Sequence, residues 1–160
     1  MKKIKMKVAA VLDARPEAVY ATLADYRVAH PHILPKKHLY DLQVEQGGYG
    51  AGTIIRFKSR FLGVEQSFYQ RVSEPEPGRV LVEQDIDSAL QESVIFTVIP
   101  LEHERKSHVE IFVAMNASPG LKGLLECVVI SMMFPPVLRE ELKLLERVAQ
   151  RKSSVLARSE

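Results

Sequence analysis

After residue 38 the chain alternates apolar and polar side chains through six successive runs, with no helical stretch between them. It then switches to apolar spacings of three and four for the rest of its length. A period of two places alternate side chains on opposite faces of a strand, whereas spacings of three and four line one face of a helix. Parallel neighbours need a crossover of a dozen or more residues, and the turns between these runs are shorter. The pattern therefore predicts consecutive antiparallel strands followed by a terminal helix, an α+β chain.

The six runs are 39–46, 53–61, 64–73, 79–86, 91–99 and 107–116. Turn residues separate them: Gly47, Gly48, Gly50 and Gly52, then Gly63, Pro75 to Gly78, Asp87, and Glu102 to Lys106. Residues 4–12 make a seventh strand, with Ile4, Met6, Val8, Ala10 and Leu12 facing one way. Asp13, Pro16 and Glu17 then start a helix over 16–24, since proline is tolerated in a first turn. Pro31 and Pro35 restrict the next segment to a short helix or loop. In the tail, Leu121, Leu125, Val128 and Met132 continue as Leu138, Leu142 and Leu145. Pro135 and Pro136 between them remove two N–H donors, so the helix is expected to bend or break there.

A chain of 160 residues is one domain's worth, and residues 1–152 are assigned to a single domain with 153–160 as a polar C-terminal tail. The net charge of +2 lacks the basic excess of a nucleic-acid-binding domain. The single cysteine, Cys127, has no intrachain partner, which fits a reducing cytoplasm. Val8 to Leu12 is too short for a secretory core. Cys127 to Leu138, the longest charge-free apolar stretch, falls short of the ~20 residues of a spanning helix, so no integral membrane segment is expected.

Few residues point to chemistry. Gly48, Gly50 and Gly52 precede a strand, not the helix N-terminus that a phosphate-cradling loop needs. His30, His32 and His38 are split by Pro31 and lack a nearby cysteine, so no metal is assigned. No cofactor is assigned either. Cys127 lies in an apolar helix and reads as packing. Glu83 and Asp85 alternate with Val80, Val82 and Ile86 and are expected on the outer face. Arg56, Lys58 and Arg60, with Lys36 and Lys37, read as a solvated outer face; anionic lipid headgroups are the other reading. Cys127 to Met133, apolar almost all round, is expected to be buried on most sides.

Several segments together resemble the START-like helix-grip superfamily, also known as SRPBCC, which includes polyketide cyclase and lipid-transport proteins, coenzyme Q-binding proteins and the birch-pollen allergen group. The residues are Ala14 to Tyr20 with Leu23 and Asp25, His30 to Pro35, Gly47 to Thr53, Phe96 to Pro100 with Ser107 to Ile111, and Arg139 to Glu146. The resemblance runs from about Ile4 to Gln150, with His30 standing where the coenzyme Q relatives usually carry an aromatic.

What it implies is a seven-stranded curved antiparallel sheet wrapped around a long C-terminal helix, with a cavity between them that takes a hydrophobic small molecule. Its lining is expected to be Ile55, Phe57, Phe68, Phe96, Val98, Val109, Ile111, Val113 and Met115, with Leu125, Val128 and Met132 from the helix. A cavity above roughly 300 Å³ is anticipated. The leading function is binding or transport of a lipid, quinone, sterol or polyketide-like molecule. The rival is an enzyme of the polyketide cyclase or dehydratase type, with Tyr69, Gln84 and His30 as candidate proton-moving groups. The resemblance is also compatible with a homodimer and with transient contact with a membrane surface.

Overall fold

The computed structural model describes residues 2–159. Its elements are β1 (Lys3–Leu12), α1 (Pro16–Ala24), a single 3-10 turn (His30–Ile33), β2 (Leu39–Gln46), β3 (Ile54–Phe61), β4 (Val64–Glu76), β5 (Val80–Asp85), β6 (Ser93–Leu101), β7 (Lys106–Asn116) and α2 (Gly120–Arg158). The strands form one curved sheet in the order β1-β7-β6-β5-β4-β3-β2, and every pair is antiparallel. Consecutive strands are hairpin neighbours except β1, which closes against β7.

Register sets the two faces. Met6 lies opposite Val113, Val113 opposite Val94, Val94 opposite Glu83 and Glu83 opposite Val72. One inner row thus carries a carboxyl among valines. A second inner row joins Leu81, Phe96, Ile111 and Val8. These apolar side chains are buried, as are Leu138, Leu142, Leu145 and Ala149 of α2, which packs on β1, α1 and the 3-10 turn. Each fully buried Leu, Ile or Phe contributes roughly 1.5–3 kcal/mol. Pro75 falls inside β4, at a register shift between Ser73 and Glu76, the kind of irregularity where a strand tolerates proline.

Three helical expectations change. The helix does not break at Pro135 and Pro136: α2 is continuous from Gly120 to Arg158. It also runs through most of the segment read as a polar tail, of which Glu160 lies outside the described residues. The third concerns its first half, which is open to solvent rather than buried: Leu125 is 65% exposed, Val128 52% and Met132 72%, while Cys127 is half-buried. Full burial begins at Val137 and Leu138, with Cys127, Ile130 and Phe134 only partly packed against the core, and the apolar spacing simply carries on beyond that contact. Because the prolines do not end the helix, Gly120–Val155 is long and apolar enough, by length and composition, to cross a membrane.

Candidate functional site

A cavity lies where the inner face of the sheet meets α2 and the 3-10 turn. Its walls are apolar: Leu34, Leu39, Leu42, Ile55, Phe57, Val94, Phe96, Val113, Phe134 and Leu138. Its polar groups are His30, Glu83, Glu92 and Glu141. Among the described residues no lysine or arginine lines it. The cavity measures about 40 Å³, room for a few water molecules, far below the anticipated size.

The polar floor is built by elements that the register brings together. Glu83 sits on the inner face of β5, and Tyr26 Oη donates to its Oε1 at 2.7 Å. His30 Nε2 lies 3.6 Å from the same oxygen. The Leu23 carbonyl oxygen is 2.7 Å from His30 Nδ1 and can only accept, so that nitrogen carries a proton. The imidazole is held further by stacking on Tyr26, with ring centroids 4.4 Å apart, and by an edge contact with Phe96. Beside them Gln70 Nε2 donates to Asp85 Oδ1 at 3.2 Å and to Glu92 Oε1 at 3.1 Å, and the Glu92 backbone N–H donates to Asp85 Oδ2 at 2.9 Å. Gln70 Oε1 and Glu92 Oε2 are buried without a hydrogen-bond partner.

Burial dominates the electrostatics. It pushes the Glu92 carboxyl up to about 8, helped by the charges of Asp85 and Glu83 and opposed by the Gln70 hydrogen bond. Glu141 is raised well above the carboxylate range by burial and then by Glu83 and Glu92. Glu83 is raised by burial against the lowering effects of His30 and Tyr26, and Asp85 is raised by burial. Burial and Glu83 raise the Tyr26 phenol in turn. A carboxyl kept protonated can donate a proton as well as accept a hydrogen bond.

Of the expected lining residues, Ile55, Phe57, Phe96 and Val113 reach the cavity. Phe68 is buried and stacks on Phe57 at 5.0 Å, whereas Val98, Val109, Ile111 and Met115 are buried in the core beyond the cavity wall. Leu125, Val128 and Met132 project into solvent. His30 is in the floor. Tyr69 and Gln84 are on the outer face: Tyr69 lies under the Arg56 guanidinium at 4.0 Å, and Gln84 is exposed. Glu83 and Asp85, expected outside, are inside, because their parity is that of buried Leu81; the half-buried Val80 and Val82 belong to the outer face. Glu92 and Glu141 were missed although both share the spacing of inward residues, Glu92 with Val94 and Phe96, Glu141 with Leu138 and Leu145.

Other sequence features lie away from the cavity. His38 stacks on Phe61 and His32 is exposed, so the three histidines do not converge. Arg56 pairs with Glu45, Lys58 with Asp41 and Glu65, and Arg60 with Glu65, which neutralises the basic stripe on the outer face. The glycine turn is tied to the end of α1 and the residues just after it: Tyr26 N–H donates to the Gly48 carbonyl and Gly50 N–H to the Ala24 carbonyl, both at 2.9 Å.

No family model matches the chain, and no curated protein matches it. Solved structures do. The KanY protein is 24% identical, with 94% of this chain and 99% of that one covered and a TM-score of 0.79. The Zhui aromatase/cyclase of a Streptomyces species is 16% identical over 95% of this chain and 96% of that one, with a TM-score of 0.71. A START superfamily protein from Mycobacterium smegmatis is 15% identical over 91% and 97%, with a TM-score of 0.70. These likenesses span nearly the whole of each chain and agree with the sheet order and long terminal helix, so the chain has the START-like helix-grip fold.

Proposed function

We propose that this protein binds an apolar or amphipathic small molecule, such as a lipid, quinone, sterol or polyketide-like aromatic, in the cavity between sheet and α2. The observation that supports it is a continuous apolar wall over a buried polar floor, the usual composition of a small-molecule site. At about 40 Å³ the space holds none of these ligands whole, so binding includes a widening of the cavity. Leu34, Leu42, Phe57 and Phe134 are the half-buried part of its wall and form the side that opens. The single cysteine supports a cytoplasmic location within this reading. Titration with the neutral fluorophore N-phenylnaphthylamine, alongside native mass spectrometry of the purified protein, tests the reading. Saturable binding at one site is expected; no binding and no co-purified ligand overturns it.

A second reading has its own support. His30, with a fixed tautomer, lies beside the Glu83 carboxyl, and Glu92 is poised near neutrality. Such groups can move protons on a bound substrate. One structurally similar protein is an aromatase/cyclase, so polyketide cyclisation or dehydration is the reaction to try first. Formation of an aromatic product from a poly-β-ketone substrate, abolished in H30F, is the expected result; binding without turnover returns the protein to the carrier reading.

A further inference from the structure

The floor of the cavity has too many acceptors. Glu92 and Glu141 are 3% and 4% exposed, and both line the cavity. Among the described residues Glu92 Oε2 has no hydrogen-bond partner, and no hydrogen bond or ion pair reaches the Glu141 carboxyl. The third carboxyl, Glu83, already has Tyr26 and His30 against it. Among the described residues Gln70 Nε2 donates to Glu92 at Oε1, but no positive charge pairs with Glu92 or Glu141, and buried polar groups left unpaired are costly.

Resting on the small-molecule reading above, we propose that the cavity selects an amphipathic amine. Its ammonium head sits between Glu92 and Glu141, and its apolar body extends past Leu34, Leu42, Phe57 and Phe134. An ammonium group brings three N–H donors and one positive charge in the volume of roughly one water, which suits the space present. An anionic head would meet three carboxyls and no lysine or arginine among the described lining residues. A hydroxyl carries no charge to draw a proton from either acid, so it gains only neutral hydrogen bonds, weaker than those of an ammonium to a carboxylate.

Amine binding is coupled to protons. The groups facing the head are His30 of the 3-10 turn, Tyr26 before it, Glu83 and Asp85 of β5, Glu92 before β6 and Glu141 of α2. Burial holds Glu92 and Glu141 protonated in the empty protein, so seating a cation expels a proton. Affinity for the amine therefore rises with pH below about 8, by up to roughly tenfold per unit for one proton released.

The experiment is displacement of N-phenylnaphthylamine by octylamine, octanol and octanoate, each below its micellar concentration, at pH 6, 7 and 8. Octylamine is expected to compete at a concentration at least tenfold lower than the other two and to gain with pH, while octanol stays flat. In E92Q/E141Q, and in E141Q alone as the milder variant, this advantage should fall to within about twofold, each competitor being scaled to that variant's own probe affinity. Probe binding with no preference for octylamine overturns the amine proposal and leaves the small-molecule reading standing. A preference that survives E92Q/E141Q also overturns it. Absence of probe binding removes the underlying reading itself.

Discussion

Glu92 carries a cost that depends on pH, and the sign follows from its environment. Its carboxyl is raised from the ordinary 4.5 to about 8, chiefly by burial. Between those values the unfolded chain has lost this proton while the folded chain retains it, so stability falls as pH rises through that window and levels off above it. Below about 4.5 both states are protonated and the penalty vanishes. E92Q is neutral at every pH and nearly the same shape. It is expected to stabilise the protein by on the order of a few kcal/mol at pH 8 and to change little at pH 4.5. Urea denaturation at the two values checks this, and an equal effect at both would contradict it. The residues of the floor show how far sequence alone reaches at this scale. His30 is visible as a candidate, but alternation alone puts Glu83 and Asp85 outside, because Val80, Val82 and Ile86 read as the inner row. β-branched residues suit the half-buried outer face of a sheet as well as its core, so strand parity is ambiguous until a neighbour fixes the register. That neighbour is Phe96, which lies opposite Leu81.

At the scale of elements, strand positions were legible because period two recurs between clear turn residues; the irregular interior of α2 was not. Pro135 and Pro136 leave the carbonyls of Ser131 and Met132 without helical donors, yet both residues are exposed, so water can take the place of the missing N–H groups. Propensity alone expected a break; solvent access makes the defect tolerable. Restoring the donors in P135A/P136A is expected to raise stability by about 1–2 kcal/mol, the helical gain being partly offset by greater freedom of the unfolded chain. Thermal denaturation measures it, and a lower midpoint would contradict the account. Gly123 makes the opposite case. In an exposed helix Gly→Ala usually stabilises by up to ~1 kcal/mol. Here an added Cβ would lie 1.6 Å from the Ser118 carbonyl oxygen, where the segment before α2 folds back. Ser118 also gives its backbone N–H and hydroxyl to Glu126 at 2.9 and 2.8 Å. G123A must therefore displace this segment, and a loss of about 1–3 kcal/mol is expected in the same denaturation assay. A gain would show that the segment yields freely.

The whole molecule joins a well-packed sheet to a cavity of only about 40 Å³, and the small-molecule reading puts its opening at one contact. Phe134 lines the cavity just before the proline pair, and its ring stacks on Phe61 at the end of β3 with centroids 5.1 Å apart. It thereby bridges α2 to the β3–β4 hairpin across the half-buried side of the wall. The fold was readable from sequence because alternation and helical spacing are properties of whole segments, whereas the cavity's size depends on side chains meeting across elements remote in the chain. The ring is half-buried, so F134A should cost less than the 3–5 kcal/mol of a fully buried phenylalanine, about 1–2 kcal/mol. Against that loss it removes both the stacking contact and part of the wall. If widening at this point limits access, F134A binds N-phenylnaphthylamine faster by about tenfold and at least as tightly, since less of the binding energy is spent in parting the bridge. Stopped-flow fluorescence gives the association rate, and titration gives the affinity. An unchanged rate with weaker binding would mean that Phe134 is part of the seat rather than the barrier, and that the cavity opens elsewhere along its wall.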